Sequence, residues 1–232
     1  MAYVPIRLMS TLGLRGVITE VTPFLGKRGL DFVATYGATR LLTQKMAAGE
    51  TAEVAILTDE AIAELTDSGM IAAGSRRDLA RSAIGIAVAA GAARPYFRTA
   101  ETFKQTMLAA RSIAYSKSGA SGLHFAALIK RLGIADEVNR KARVIDGVVG
   151  ELVAREEVDL AVQQISELKL VPGIEIVGAL PDELQKITTF SAGIFSASTR
   201  PAAAGLLISA LTTPEVAAVM RKQGMEPVAA VR

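Results

Sequence analysis

The chain has 232 residues, half of them hydrophobic and 21% charged, which excludes a disordered chain and allows one large domain or two small ones with a sizeable core. Its net charge of +3 is spread along the chain without a Lys/Arg run, so no nucleic-acid tail is expected. Cysteine is absent, which excludes disulfide, thiolate and zinc–cysteine chemistry.

Tryptophan is also absent and aromatics are few, so Ala, Val, Leu and Ile must build the core. Such small side chains suit helices packed closely on a sheet. No stretch reaches about 18 uninterrupted apolar residues, and no membrane insertion is expected. The first residues lack a charged segment followed by a long apolar one. The expected location is therefore cytoplasmic as the sequence stands, or periplasmic if an export signal has been removed.

The predicted elements alternate. Val4–Met9 reads as a strand and Leu12–Leu25 as a helix. Asp31–Thr35 is a second strand, with a helix from Thr39 to Ala48. Glu53–Leu57 is a third strand, followed by a helix with Asp59 at its cap and Glu60 in its first turn. Ser75–Arg81 is polar and basic. Ala83–Ala89 is a strand, Thr99–Ala110 a helix capped by Thr99, and Ser112–Tyr115 a strand. Gly122–Leu132 is an amphipathic helix ended by Gly133. Arg143–Ile145 is a strand, Val148–Arg155 a helix, Leu160–Gln163 and Ile174–Val177 strands, and Thr188–Ser196 a longer strand. Helices over Pro201–Leu211 and Pro214–Gln223 close the chain, each with Pro in its first turn.

This order implies right-handed βαβ crossovers, a mainly parallel sheet in each of two sets, and an α/β fold. The expected division is 1–82 plus 193–232 against 83–192. Runs near 83–89 and 188–196 are long enough to cross between the two.

In open α/β sheets, ligands bind beyond the carboxyl ends of strands, at helix N-termini. Five turns of this kind occur: Ser10-Thr11, Tyr36 to Arg40, Ser116 to Gly122, Asp146 to Val149, and Gln163-Gln164. Hydroxyls and backbone N–H groups there meet the positive end of a helix dipole, which favours an anion. Arg40 and Lys117 add two cations, and Arg can grip a carboxylate through two parallel hydrogen bonds. The plain alternative is that each Ser or Thr is only an N-cap and each cation only solvated.

Other chemistries are thin. His124 is the only histidine, which excludes a two-histidine metal site, and no Ser/His/Asp triad can be built on sequence grounds. No metal and no cofactor is expected, and no catalytic residue is assigned. Asp59-Glu60 and Glu156-Glu157 read as helix-end charges.

The order Ser10-Thr11-Leu12, Tyr-Gly-Ala-Thr at 36–39, 46–58, 69–81 and Ser-Gly-Ala-Ser-Gly at 118–122 resembles the molybdate-binding family of type 2 periplasmic solute-binding proteins, over nearly the whole chain. The resemblance implies a two-lobed fold with the ligand in the interlobe cleft. It implies an oxyanion held by Ser10 or Thr11, by Ala38 and Thr39, by Ala120 and Ser121, by the Val148 N–H, and at Gln164. Arg40, Lys117 and Ser118 join this set as turn neighbours. The family commonly has Tyr where this chain has Gln164, and often two small hydroxyl residues in the second turn where this chain has Ala38-Thr39-Arg40; a guanidinium suits a carboxylate.

The function so implied is capture of a small anion by a monomeric binding protein, with an ABC permease as partner. One divergent branch of the family is the aconitate isomerases, and resemblance to it is the alternative. It implies a proton shift on a small polycarboxylate, with Arg40 and Lys117 as cations and His124 or a Ser121-held water as base. A ligand-sensing module is the third reading.

Overall fold

The computed structural model describes residues 4–228; the outermost residues of the expected first lobe, 1–3 and 229–232, lie outside the described residues. The chain divides into two compact units, 1–81 with 188–232, and 82–187.

From the start, β1 (Ile6–Thr11) leads through a 3-10 turn into α1 (Arg15–Gly26), then β2 (Phe32–Gly37), α2 (Thr39–Ala47), β3 (Val54–Thr58), α3 (Asp59–Asp67) and β4 (Arg77–Ser82). The second unit holds β5 (Ile84–Ala89), α4 (Ala100–Ala109), β6 (Ile113–Ser116), α5 (Ala120–Arg131), α6 (Ala135–Arg140), β7 (Ala142–Ile145), α7 (Gly150–Ala154), β8 (Leu160–Gln164), α8 (Ile165–Leu168) and β9 (Ile174–Ala179). The chain then returns to the first unit with β10 (Thr188–Ile194), α9 (Pro201–Ala210), α10 (Pro214–Lys222) and β11 (Glu226–Pro227).

The first sheet has the order β11-β4-β10-β3-β1-β2 and the second β7-β6-β8-β5-β9. In the first, β1 pairs in parallel with β2 and β3, and β10 runs antiparallel to β3. In the second, β6 pairs in parallel with β7 and β8, and β5 runs antiparallel to β8 and β9. The expected strands crossing between the two sets are corrected here. β5 takes its neighbours from the second sheet and β10 from the first.

Both sheets are covered on both faces, which explains their unbroken apolar strands. All five residues of β3 are buried, with Ile56 in a core containing Leu8, Ile18 and Phe190, and Leu57 in one containing Met9, Leu42 and Ile62. In the second unit Leu160 and Val162 pack with Phe103 and Phe125, while Ala161 packs with Val149 and Leu168 on the opposite face. The first unit is also tied by a buried carboxylate. Glu53 accepts from the Arg7 backbone at 2.6 Å and meets the Arg7 and Arg200 guanidiniums at 3.0 and 3.3 Å. Burial raises the Glu53 carboxyl, but its Arg7 bonds outweigh that and hold it below the usual range.

β4, α6, α8 and the two-residue β11 escape the sequence pattern. β4 occupies the segment expected to be merely polar and basic; its charges flank buried Leu79 and Ala80. α6 and α8 are too short for a helical period. The α3 cap is Thr58, not Asp59: the Thr58 hydroxyl accepts from the Ala61 N–H.

Candidate functional site

In the first unit, Thr11 pairs with Gly37, and Ser10 pairs with both Tyr36 and Ile56. The C-terminal ends of β1, β2 and β3 therefore share one edge of the sheet. Ser10 and Thr11 are buried, and the Ser10 hydroxyl donates to the Thr11 carbonyl at 3.1 Å. Thr11 precedes the 3-10 turn, yet its side chain makes no capping bond. Ala38 precedes α2 and carries no side-chain group that could cap it; Thr39 is half-buried and Arg40 exposed. By contrast, Thr58 and Thr99 do cap their helices. The reading of hydroxyls as simple caps therefore holds at those two positions and fails at Thr11.

Arg15 was not among the sequence candidates. It opens α1, is exposed, and lies 5.8 Å from the centre of the Tyr36 ring at the end of β2. Burial pushes the Tyr36 phenol up, opposed by the Thr19 hydroxyl and the Arg15 charge. Neither α1 nor α2 has an acidic residue in its first turn, and neither Arg15 nor Arg40 forms an ion pair among the described residues. A cation at a helix start works against the helix dipole. That conflict was visible in the sequence once the helices were drawn. The third strand end differs: Asp59 and Glu60 follow β3, and burial together with Glu60 raises the Asp59 carboxyl.

In the second unit, Ser116 pairs with Ile145, and Tyr115 with Val162. The turns after β6, β7 and β8 thus share one edge. The Ser116 hydroxyl accepts from the Gly119 N–H at 2.9 Å, and the Lys117 N–H donates to the Ile145 carbonyl at 2.8 Å. Ser118 is buried and hydrogen-bonds the Asp146 carboxylate. Ala120 opens α5, Ser121 is buried in its first turn, and Gly119 supplies no capping bond. A Cβ on Gly122 would lie 1.7 Å from the Ser116 carbonyl oxygen, so only glycine lets α5 start this close to β6.

Gly147 takes φ +104°, which turns the chain between β7 and α7. The Gln163 side chain then fixes this turn. Its carbonyl accepts from the Val149 N–H at 2.8 Å and its amide donates to the Gly147 carbonyl at 2.9 Å. Val148, between them, is buried and its N–H makes no hydrogen bond among the described residues. Gln164 is buried at the end of β8. The same Gln163 amide also donates to Glu167, a buried carboxyl in α8.

The chain is 38% identical, over 96% of its length and 88% of the relative's, to a protein named aconitate isomerase from a Pseudomonas species. A profile of the family described as bacterial extracellular solute-binding proteins matches residues 6–226. The chain belongs to that family. Its fold is that of the periplasmic binding proteins. A periplasmic molybdate-binding protein from Azotobacter vinelandii superposes with TM-score 0.82 at 17% identity, covering 97% of this chain and all of that one. A sulfate-binding protein from Mycobacterium tuberculosis gives 0.72 at 16% identity, covering 97% and 88%.

Within this family member, the structure gathers Ser10, Thr11, Ala38, Thr39 and Arg40 on one sheet edge of the first unit. Lys117, Ser118, Ala120, Ser121, Val148 and Gln164 gather on one edge of the second. Lys117 is exposed. The His124 Nε2 lies 2.8 Å from the Leu184 carbonyl. Two cavities of the second unit, of about 650 and 930 Å³, contain none of these residues; the larger opens at the other sheet edge, near Val88 and Leu160. Among the described residues, no group of three His, Cys, Asp or Glu side chains could hold a metal, and no single helix is long and apolar enough to cross a membrane.

Proposed function

We propose that this chain binds a small polycarboxylate of the aconitate type on its strand-end turns and interconverts the cis and trans isomers. The observation that carries the reading is the 38% identity to an aconitate isomerase over 96% of the chain. The chemistry of the turns supports it. Arg15 and Arg40 offer planar guanidiniums to carboxylates, which a tetrahedral oxyanion does not require. The Val148 N–H and the uncapped start of α5 add neutral donors.

The reaction is a 1,3-proton shift. A base removes a proton from the methylene carbon, the electron pair spreads over the adjacent double bond and carboxylates, and a proton returns to the former vinyl carbon. No atom is gained or lost. Positive charge beside the carboxylates stabilises the carbanion, and a fixed electrostatic environment is commonly the largest single contribution to catalysis.

The test is ultraviolet absorbance of each isomer with the protein. Isomerisation requires that solutions begun from cis- and from trans-aconitate converge on the same ratio. If both isomers persist while trans-aconitate still raises the melting temperature, the chain is a binding protein without chemistry.

That second reading is favoured by the family description and by the molybdate- and sulfate-binding proteins of the same fold. It would put the protein outside the cytoplasm and give it an ABC permease as partner. A melting panel of molybdate, sulfate, phosphate, citrate and both aconitates separates polycarboxylate binding from inorganic oxyanion binding. A ligand at a hundred times its Kd adds about 2.7 kcal/mol. A shift by molybdate alone would sink the polycarboxylate reading.

A further inference from the structure

Glu167 is a buried acid that the anion turns do not use directly. It sits in the short helix α8 behind the end of β8. Its partner is the Gln163 amide, whose orientation is fixed by the other groups it meets. The Gln163 carbonyl faces the Val149 N–H, so its nitrogen faces both the Gly147 carbonyl and the Glu167 carboxyl. One side chain thus joins the carboxyl to both peptides that flank Val148.

The charges around Glu167 are few. β5 and β8 carry no ionisable side chain where they pack against α8. β9 brings Glu175, which Arg94 holds at 2.7 Å. Lys169 follows α8 and is exposed. α7 contributes Glu151, paired with Arg155 at 3.7 Å, and the turn itself Asp146, bonded by Ser118. Among the described residues no cation pairs with Glu167. Burial therefore dominates and pushes its carboxyl up to about 8, opposed by the Gln163 bond.

We infer that Glu167 is a positioning residue that acts through Gln163 on the Gly147–Val149 turn. With its proton on, it leaves the turn neutral and set to receive an anion. With its proton off, it puts a negative charge behind the turn and weakens anion binding. The inference rests on the anion-binding reading above and adds a proton to it: anion binding holds that proton in place, so affinity falls as pH rises.

The test combines a ligand-free readout with a binding readout on the full chain. The Val149 backbone amide is followed by ¹⁵N–¹H NMR as pH is raised. The wild type should show a step with a midpoint near 8. Glu167→Gln, which keeps an acceptor for Gln163 but cannot ionise, should show none. Trans-aconitate should bind the wild type about tenfold more weakly once Glu167 is ionised, and bind Glu167→Gln with the same Kd throughout.

A Val149 step that is missing in the wild type, or that persists in Glu167→Gln, overturns the inference. So does a pH profile of binding shared by both proteins. Failure of trans-aconitate to bind either protein at any pH overturns the functional reading instead, and the ligand-free titration separates that failure from a failure of the coupling.

Discussion

The two sheet edges carry different chemistry. The first unit's edge carries exposed guanidiniums at helix starts, Arg15 and Arg40, above buried hydroxyls. The second unit's edge relies on backbone N–H groups held by a buried amide, backed by an acid whose carboxyl burial pushes up to about 8. The first can select an anion by charge, and side chains there have room to move. The second is set mainly by geometry, because Gln163 and the Ser116–Ile145 strand ends hold its turns. Loss of a glycine, of a proton or of a cation should therefore act very differently on the two.

The largest difference should come from glycine. Gly122→Ala in the second unit drives a Cβ to 1.7 Å from the Ser116 carbonyl, and backbone must shift to admit it. A cost of about 3 kcal/mol or more is expected, read as a melting temperature lower by roughly 6–12 °C. Gly37→Ala is the counterpart in the first unit. Its Cβ would meet the Leu42 side chain at 3.1 Å, and that side chain can give way. A loss within about 1 kcal/mol is expected. Equal losses would break the contrast between a rigid and an adaptable edge.

The next effect is pH-dependent stability. In the unfolded chain Glu167 ionises near its ordinary value of 4.5, but in the folded protein it keeps its proton up to about 8. The folded state holds the extra proton between those values, so stability is full below the lower one and falls as pH rises through the window. Each tenfold difference in proton affinity between the folded and unfolded chain is worth about 1.4 kcal/mol, so the loss reaches about 4 kcal/mol by pH 8 and levels off above it. Denaturant unfolding at a series of pH values checks this. Glu167→Gln should flatten the slope in that window and be the more stable protein at pH 8. Removing Arg15 or Arg40 from the first unit's edge should leave that slope unchanged, since an arginine keeps its charge throughout the window.

The sequence made the fold legible because buried strands and amphipathic helices leave strong periods. It also made the turns legible, since each lies between a strand and a helix. The residues it missed act through tertiary contacts that no period encodes. Arg15 gains meaning only beside Tyr36, which α1 brings over the end of β2. Glu167 looked like one polar residue in the run Ile165–Leu168, and only the register of β8 puts Gln163 between it and the 147–149 turn. β4 was hidden by its charges, Arg77, Asp78 and Arg81, although it is a strand between β10 and β11. His124 was a fair candidate in sequence and is claimed by a backbone carbonyl sixty residues away.

Removing the first unit's cations should affect binding rather than folding. Arg40→Ala and Arg15→Ala should each weaken trans-aconitate by roughly 10- to 100-fold, the loss of a charge-assisted pair worth about 1.5–3 kcal/mol. Both side chains are exposed, so the melting temperature without ligand should barely move. Isothermal titration beside thermal unfolding separates the two quantities. Unchanged affinity in both variants would leave the first edge with hydroxyls alone.

The smallest effect is expected at Lys117, and it tests the contrast most finely. Lys117 stands in the second unit's first turn, where its backbone N–H is fixed to the Ile145 carbonyl, while its side chain is exposed. If that edge selects by geometry, the backbone bond is the useful part and Lys117→Ala keeps it. The remaining ammonium would attract an anion only across solvent, where salt screens it within about 8 Å at physiological ionic strength. Lys117→Ala should then cost under about 0.5 kcal/mol of trans-aconitate affinity, and even that difference should vanish as salt is raised. A loss as large as that of Arg40→Ala, persisting in high salt, would mean that the second edge also selects by direct charge contact, and the division between the two edges would fall.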